Sequence, residues 1–282
     1  MSQILLALIS ALLTSLIRIL FRSIVKGEGD PVALTIFYNL GAALIIALCC
    51  GIPSLEEVPS SAILLLCIAG SLWAVAGVFD TMSYEHLDAS VNGILSSLRF
   101  ALLTIGAVVF LGETLTLFQV AGILLILFSV YITIDLSNAH FRRGALYRLT
   151  SIFFINAGIL IDKHLSASIP TSLITLSSFL LPGILISMVK PKHFLRVPNE
   201  IKRNGASILI APFMIAATYG TYVLSFSTGK LVVASTLTQM SAIFTWIFGV
   251  ILLGERARFW RRLLASFLCS LGAAIVALCN IP

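Results

Sequence analysis

The chain has 282 residues, of which 59% are hydrophobic and only 11% are charged, with 18 Lys and Arg against 12 Asp and Glu. A water-exposed globule carries roughly 25% charged residues, so most of this surface faces a lipid bilayer. That excludes a soluble enzyme, a nucleic-acid binder and a disordered hub, and it assigns the net charge of +6 to membrane topology rather than to a nucleic-acid partner.

In chain order, short polar or Gly/Pro punctuation separates ten apolar runs, each near the length of about 20 residues that a membrane crossing needs. They cover 3–25, 31–50, 61–82, 89–111, 116–135, 145–166, 171–189, 205–226, 229–252 and 260–279. The first run lacks a signal-peptide cleavage site and is expected to be a retained span. The connections are short, the longest being an exposed basic loop over 190–204. No separate catalytic domain fits outside the bilayer, and backbone groups in lipid must pair within each segment. The expected fold is therefore an all-α membrane protein of ten transmembrane helices.

A shift of 142 positions lays Val108, Leu111, Gly112 and Glu113 on Val250, Leu253, Gly254 and Glu255, and Ala74 and Ser83 on Ala216 and Ser225. Five spans per half is odd, so the second half enters the membrane with opposite polarity. The expectation is two inverted five-helix repeats, 1–140 and 141–282, enclosing a site that opens alternately to either face.

The polar residues inside these spans are the candidates for that site. Arg18 and Arg99 sit very roughly 10 to 15 Å into their helices at about 1.5 Å per residue, and a buried charge needs a partner or a purpose. Asn92, Ser96 and Arg99 form one stripe of span four; Trp73, Gly77, Asp80 and Tyr84 share a face of span three. The repeat maps the last three onto Tyr219, Tyr222 and Phe226, and Thr14 onto Asn156. Span nine adds Thr238, Ser241 and Thr245, with Gln239 and Trp246 beside them. The expected substrate-binding set is Arg99, Arg18, Asn92, Ser96, Trp73, Asp80, Tyr219, Tyr222, Asn156, Gln239, Ser241 and Trp246. Asp80 is expected to pair with an arginine, and Arg22 to snorkel to the interface. Glu85, His86 and Asp88 are expected to cap helices and meet water. Ala265, Cys269, Ala273 and Ala277, at every fourth position, form a close-packing stripe, while Pro182 and Pro212 interrupt spans seven and eight.

The loops after spans one, five, seven and nine hold fourteen Lys and Arg, Arg148 among them, against Lys163 and Lys230 on the side of the termini. The positive-inside rule places the charge-rich side in the cytoplasm and both termini outside.

The stretch SYEHLDASVNGILSSLRFALLTIGAVVFLGETLTLFQVAGILLILFSVYI, with its Gly-Glu turn and the Gln119-to-Gly122 spacing, resembles the EamA-type branch of the drug/metabolite transporter superfamily. The resemblance extends over essentially the whole chain. It departs at Phe100 and Ala242, where the family has prolines thirteen residues before each Glu, and at Asn39, where an arginine is common. The resemblance implies metabolite or amino-acid efflux, termini in the cytoplasm, and Glu113 and Glu255 capping the helices that follow them.

The function these readings point to is secondary transport of a small polar metabolite (an amino acid, an organic anion or a nucleotide-like cofactor such as S-adenosylmethionine) across a bacterial inner membrane. The arginine excess favours a carboxylate or phosphate. No cofactor, metal or nucleic acid is expected: the five cysteines lie in apolar runs with no zinc spacing, and no Walker A motif is present. The partners are the substrate and the bilayer, with the chain a monomer or homodimer. A passive channel or scaffold is the alternative, and a membrane-embedded enzyme, lacking HExxH, GxSxG or paired carboxylates, is the remotest.

Overall fold

The computed structural model describes residues 3–26, 29–51, 58–102, 108, 116–135 and 138–278. Among these the chain is helical throughout, with no strand. The helices are α1 (Gln3–Lys26), α2 (Pro31–Cys50), α3 (Ser60–His86), α4 (Ala89–Leu95), α5 (Leu117–Thr133), α6 (Ala139–Leu165), α7 (Thr171–Val189), α8 (Pro191–Phe194), α9 (Val197–Asn204), α10 (Ala206–Ser227), α11 (Leu231–Thr238), α12 (Ser241–Leu252) and α13 (Phe259–Leu278). Six of them, α1, α2, α3, α6, α7 and α10, are long and apolar enough to cross a membrane, and α5 and α12 are shorter apolar helices.

Local sequence sets the helix starts. Asp30 accepts the backbone N–H of Val32 and Ala33 at 3.0 and 3.1 Å, ahead of Pro31 at the first helical position. Thr116 and Gln119 form a reciprocal capping box at 2.6 and 3.3 Å. Asn138 caps α6, which therefore begins six residues before the expected 145. The 190–204 segment is not a plain loop, since it folds into the short helices α8 and α9.

Spans four and nine are broken rather than continuous. After α4, Ser97, Arg99 and Phe100 donate to carbonyls three residues back (Ile94, Ser96 and Ser97, 2.9–3.0 Å), a 3₁₀-type tightening. The Ser96 and Ser97 hydroxyls bond back to Asn92 and Ile94 carbonyls, both at 2.6 Å. Between α11 and α12, Met240 and Ala242 do the same toward Leu237 and Gln239, at 3.1 and 2.9 Å. Neither break contains proline or glycine. The second Gly-Glu turn is visible in detail: Gly254, at φ 66°, reverses the chain past α12, and the Glu255 N–H reaches the Gly249 carbonyl at 3.0 Å. Gly112 and Glu113 lie outside the described residues, as does Leu111.

Packing follows the small residues. Along α13, Ala265, Cys269 and Ala273 are fully buried, and α13 lies against α5 within the same chain. There Gly272 comes so close that an added Cβ would sit 2.5 Å from the Gly122 carbonyl oxygen, which accounts for the glycine at 272. The Ala277 side chain is outside the described residues. Pro212 sits within α10 against Gly41 of α2, where an added Cβ would meet the proline ring at 2.6 Å. The remaining contacts, α3 along α6, α1 on α10 and α2 on α7, close a bundle around an internal space.

Candidate functional site

That space is a cavity of about 150 Å³ between α1, α2, α3, α6, α10 and the broken segments of spans four and nine. Three guanidinium groups, Arg18, Arg99 and Arg148, reach it together with one carboxylate, Asp80. Trp73, Tyr219 and Tyr222 supply an aromatic wall: Trp73 meets Tyr219 edge-on at 5.1 Å, and Tyr219 lies 6.2 Å from Tyr222.

Each arginine is held by a different element. From α1, Arg18 donates to Ser241 Oγ at 2.9 Å and to Thr245 Oγ1 at 3.4 Å, so a first-half helix grips α12. The Arg99 guanidinium stands over the Tyr222 ring, 5.5 Å from its centroid, and reaches Thr238 at 3.5 Å. Arg148 pairs with Asp80 and donates to Ser96 Oγ at 2.7 Å. Asn156, also on α6, donates to the Arg99 carbonyl at 3.0 Å. Arg148 and Asn156 together clamp both ends of the broken turn of span four.

Of the expected set, Arg18, Arg99, Trp73, Asp80, Tyr219 and Tyr222 line the cavity. Ser96, Asn156 and Ser241 stand behind it, anchoring the arginines or the turn that carries them. Asn92 is buried and donates to Ser83 Oγ at 2.6 Å, a bond within the first half. Gln239 is buried in the second broken turn. Trp246 is apart from the site, edge-on to Phe259 with ring centroids 5.1 Å apart.

Two further residues, Arg148 lining the cavity and Asp162 behind its wall, are absent from the expected set. Arg148, counted among the basic loop residues although it lies inside the expected span 145–166, is buried on α6. Asp162, on the same helix, is fully buried, and its Oδ2 accepts Trp73 Nε1–H at 2.9 Å, the Tyr219 hydroxyl, and Ser178 Oγ at 3.4 Å. The signal was available: Arg148, Ser151, Ile155 and Asp162 fall at i, i+3, i+7 and i+14, one helical face, all buried.

A second polar cluster closes one end of the bundle. Arg22 does not snorkel; it is buried, donating to the Tyr84 carbonyl and, at 3.1 Å, to Asp88, whose other oxygen takes Arg262 at 2.7 Å. Asp88 does not cap α4. Glu255 does, accepting the N–H groups of Ala89 and Ser90 at 2.8 and 3.2 Å and the Ser90 hydroxyl at 3.0 Å. Glu255 thus caps not the helix that follows it but one some 165 residues earlier in the chain, across the two halves.

The described residues thus form an all-helical, multi-pass membrane protein whose polar groups converge on an internal cavity. Residues 1–134, slightly under half of the chain, match the EamA-like transporter family, in line with the resemblance read from the sequence. A solved crystal structure, described only as that of a protein, has the same fold, with a TM-score of 0.73 at 17% identity over 98% of this chain and 98% of its own. No curated protein matches the chain.

Proposed function

We propose that the protein is a secondary transporter that moves a small organic anion by alternating access of two inverted five-helix repeats, 1–140 and 141–282. The observation that carries this reading is the cavity's charge: Arg18, Arg99 and Arg148 face one carboxylate, Asp80, leaving an excess of positive charge that an anionic group offsets. Arg99 is the principal substrate ligand, because Arg148 is committed to Asp80 and Arg18 to α12, while Arg99 stands half-exposed over an aromatic ring. Trp73 and Tyr219 cover the apolar part of the solute. Carboxylates and phosphates fit the guanidinium; amino acids, organic acids and S-adenosylmethionine are the substrate classes.

The paired breaks in spans four and nine support the repeat and the gating. They fall near the same position after the 142-residue shift, and discontinuous helices around a midplane site are a recurring device of inverted-repeat transporters. The charge distribution supports cytoplasmic placement of the loops after spans one, five, seven and nine in a bacterial inner membrane, since removing the buried Arg22 and Arg148 from the balance leaves it one-sided. A monomer holds the whole site.

The test is counterflow of labelled glutamate, succinate and S-adenosylmethionine in proteoliposomes. Arg99→Ala is expected to lower flux by at least about 100-fold, the loss of a charge-assisted contact of roughly 3 kcal/mol, with unchanged elution and helicity. Undiminished flux in that variant refutes the site.

A further inference from the structure

Asp162 has a chemistry that substrate docking does not use. Its side chain is fully buried. Oδ2 accepts from Trp73, Tyr219 and Ser178, whereas Oδ1 has no hydrogen-bond partner, and among the described residues no cation pairs with it. An ionised carboxylate with one bare oxygen in an apolar interior is costly, and a proton on that oxygen removes the charge. Among the described residues the surroundings supply no other way to do so. From α10, Tyr219 touches the carboxylate and Tyr222 lies beyond it. On α3, Asp80 is taken by Arg148, whose backbone is fourteen residues, about 21 Å, from that of Asp162 along α6; Glu85 and His86 lie farther along α3 from Trp73, and Cys67 is exposed on the outer surface. No titratable side chain occurs on α7, which contributes Ser178. On α6 itself, Lys163 turns to the Phe226 and Gly229 carbonyls at 2.8 and 3.1 Å, and His164 is exposed.

Both aromatic donors to Asp162 are also walls of the cavity, so the carboxyl stands one hydrogen bond behind the solute compartment. Tyr219 continues to Tyr222, and Tyr222 lies beneath the Arg99 guanidinium. We propose that Asp162 is a proton-binding site that couples transport to a proton gradient, loading a proton on Oδ1 from one side of the membrane and releasing it to the other. This rests on the transporter reading above. The step is a protonation alone: water or hydronium delivers H⁺ to the carboxylate, and the neutral carboxyl later returns it to water. Loading removes a negative charge from the wall behind Arg99 and so favours the anion there, which makes proton and anion bind cooperatively. Reciprocity requires that the anion favour the proton equally.

The first measurement is difference infrared spectroscopy of the purified protein stepped between about pH 5 and about pH 9. Wild type is expected to show a protonated-carboxyl band at the low end, shifted in D₂O and missing in Asp162→Asn. Trp73→Phe, which removes one hydrogen bond to the group, shifts the frequency of that band and serves where the Asn variant does not fold. In proteoliposomes with glutamate, succinate and S-adenosylmethionine, Asp162→Asn is expected to retain counterflow while its proton-driven accumulation falls by roughly 5- to 150-fold, the usual size of a coupling between two sites. A carboxylate that stays ionised at every pH, a band indifferent to both substitutions, or full gradient-driven accumulation in Asp162→Asn overturns the proposal. Absence of counterflow in wild type for all three solutes counts against the transporter reading, and the infrared titration then decides the proton site independently.

Discussion

Replacing Glu255 by alanine tests how strongly the two halves are fastened. The carboxylate accepts two backbone N–H groups at the start of α4, at 2.8 and 3.2 Å, and the Ser90 hydroxyl at 3.0 Å, while remaining 3.9 Å from Arg22. Those donors have no partner within α4, because they belong to its first turn. Leaving a buried donor unmet costs about 1–3 kcal/mol, and a lost helix cap about 0.5–2 kcal/mol. The negative charge at a helix N-terminus adds up to about 2 kcal/mol in a partly buried setting. These overlap, and water entering the truncated site recovers some of the loss, so the net expectation is a destabilisation of about 2–4 kcal/mol. Glu255→Gln keeps an acceptor for one N–H but loses the charge, and should cost about half as much. Equilibrium unfolding in mixed micelles at increasing SDS reads both numbers. A loss below about 0.5 kcal/mol for the alanine variant would refute the cross-half cap, since surface positions without a partner give that value.

Other perturbations test separate parts of the structure. Removing one member of the Arg148–Asp80 pair, as Asp80→Leu or Arg148→Met, should destabilise by about 3–5 kcal/mol by stranding the other charge, whereas the double variant should recover much of that stability but not transport; the same unfolding assay and counterflow separate the two effects. Gly272→Leu places a side chain where an added Cβ already lies 2.5 Å from the Gly122 carbonyl, so at least about 1–3 kcal/mol of overpacking is expected, read as a lower melting temperature. At the start of α2, burial works to raise the Asp30 carboxyl, but the Ala33 N–H, His193 and Arg196 together hold it below the ordinary carboxylate value. A depressed folded-state value means that this stabilisation is complete above the unfolded-state value of about 4 and is lost as pH falls through the folded one. Asp30→Asn should therefore be less stable than wild type at neutral pH and converge with it in acid, and parallel melts across pH check the sign.

The six long apolar helices were legible because twenty apolar residues have no other stable home, and Arg99, Trp73 and Tyr219 were legible because each is a polar or aromatic interruption facing one helical side. The breaks at Ser96–Ser97 and Gln239–Met240 were not. They hold neither proline nor glycine, and the first depends on serine hydroxyls competing for carbonyls while Arg148 and Asn156 grip the turn from another helix. Arg148 was hidden because it was counted with the basic loop residues although it lies inside the expected span 145–166; Asn138, the cap ten residues before it, was the overlooked signal that it sits well within a helix. Glu255 as the cap of α4 was beyond sequence reasoning, because cap rules look to the adjacent helix and this partner lies across the fold. Trp246 was placed at the site by its position beside the polar stripe of span nine, but its ring packs on Phe259 instead.

The energetics of the buried charges bear on why they are there. Arg18, Arg148 and Asp162 are each at most 6% exposed. On insertion scales each costs about 2.5–3.5 kcal/mol near the bilayer centre, on the order of 10 kcal/mol together, comparable to the whole stability of a folded domain. Their partners return part of this, yet leucines of similar volume would return more, as buried ion pairs replaced by apolar residues elsewhere often show. Stability alone therefore does not account for them. What they share is position: Arg18 reaches from α1 to α12, Arg148 from α6 to the broken turn of span four, and Asp162 from α6 to the cavity wall on α3 and α10. Apolar packing at those three junctions would hold the helices in one arrangement, whereas ionic and hydrogen-bonded junctions can exchange partners with water, solute or a proton at small net cost. Neutral substitutions at all three positions should thus yield a protein that melts higher and transports less, and a triple variant as active as wild type would show that the charges serve packing alone.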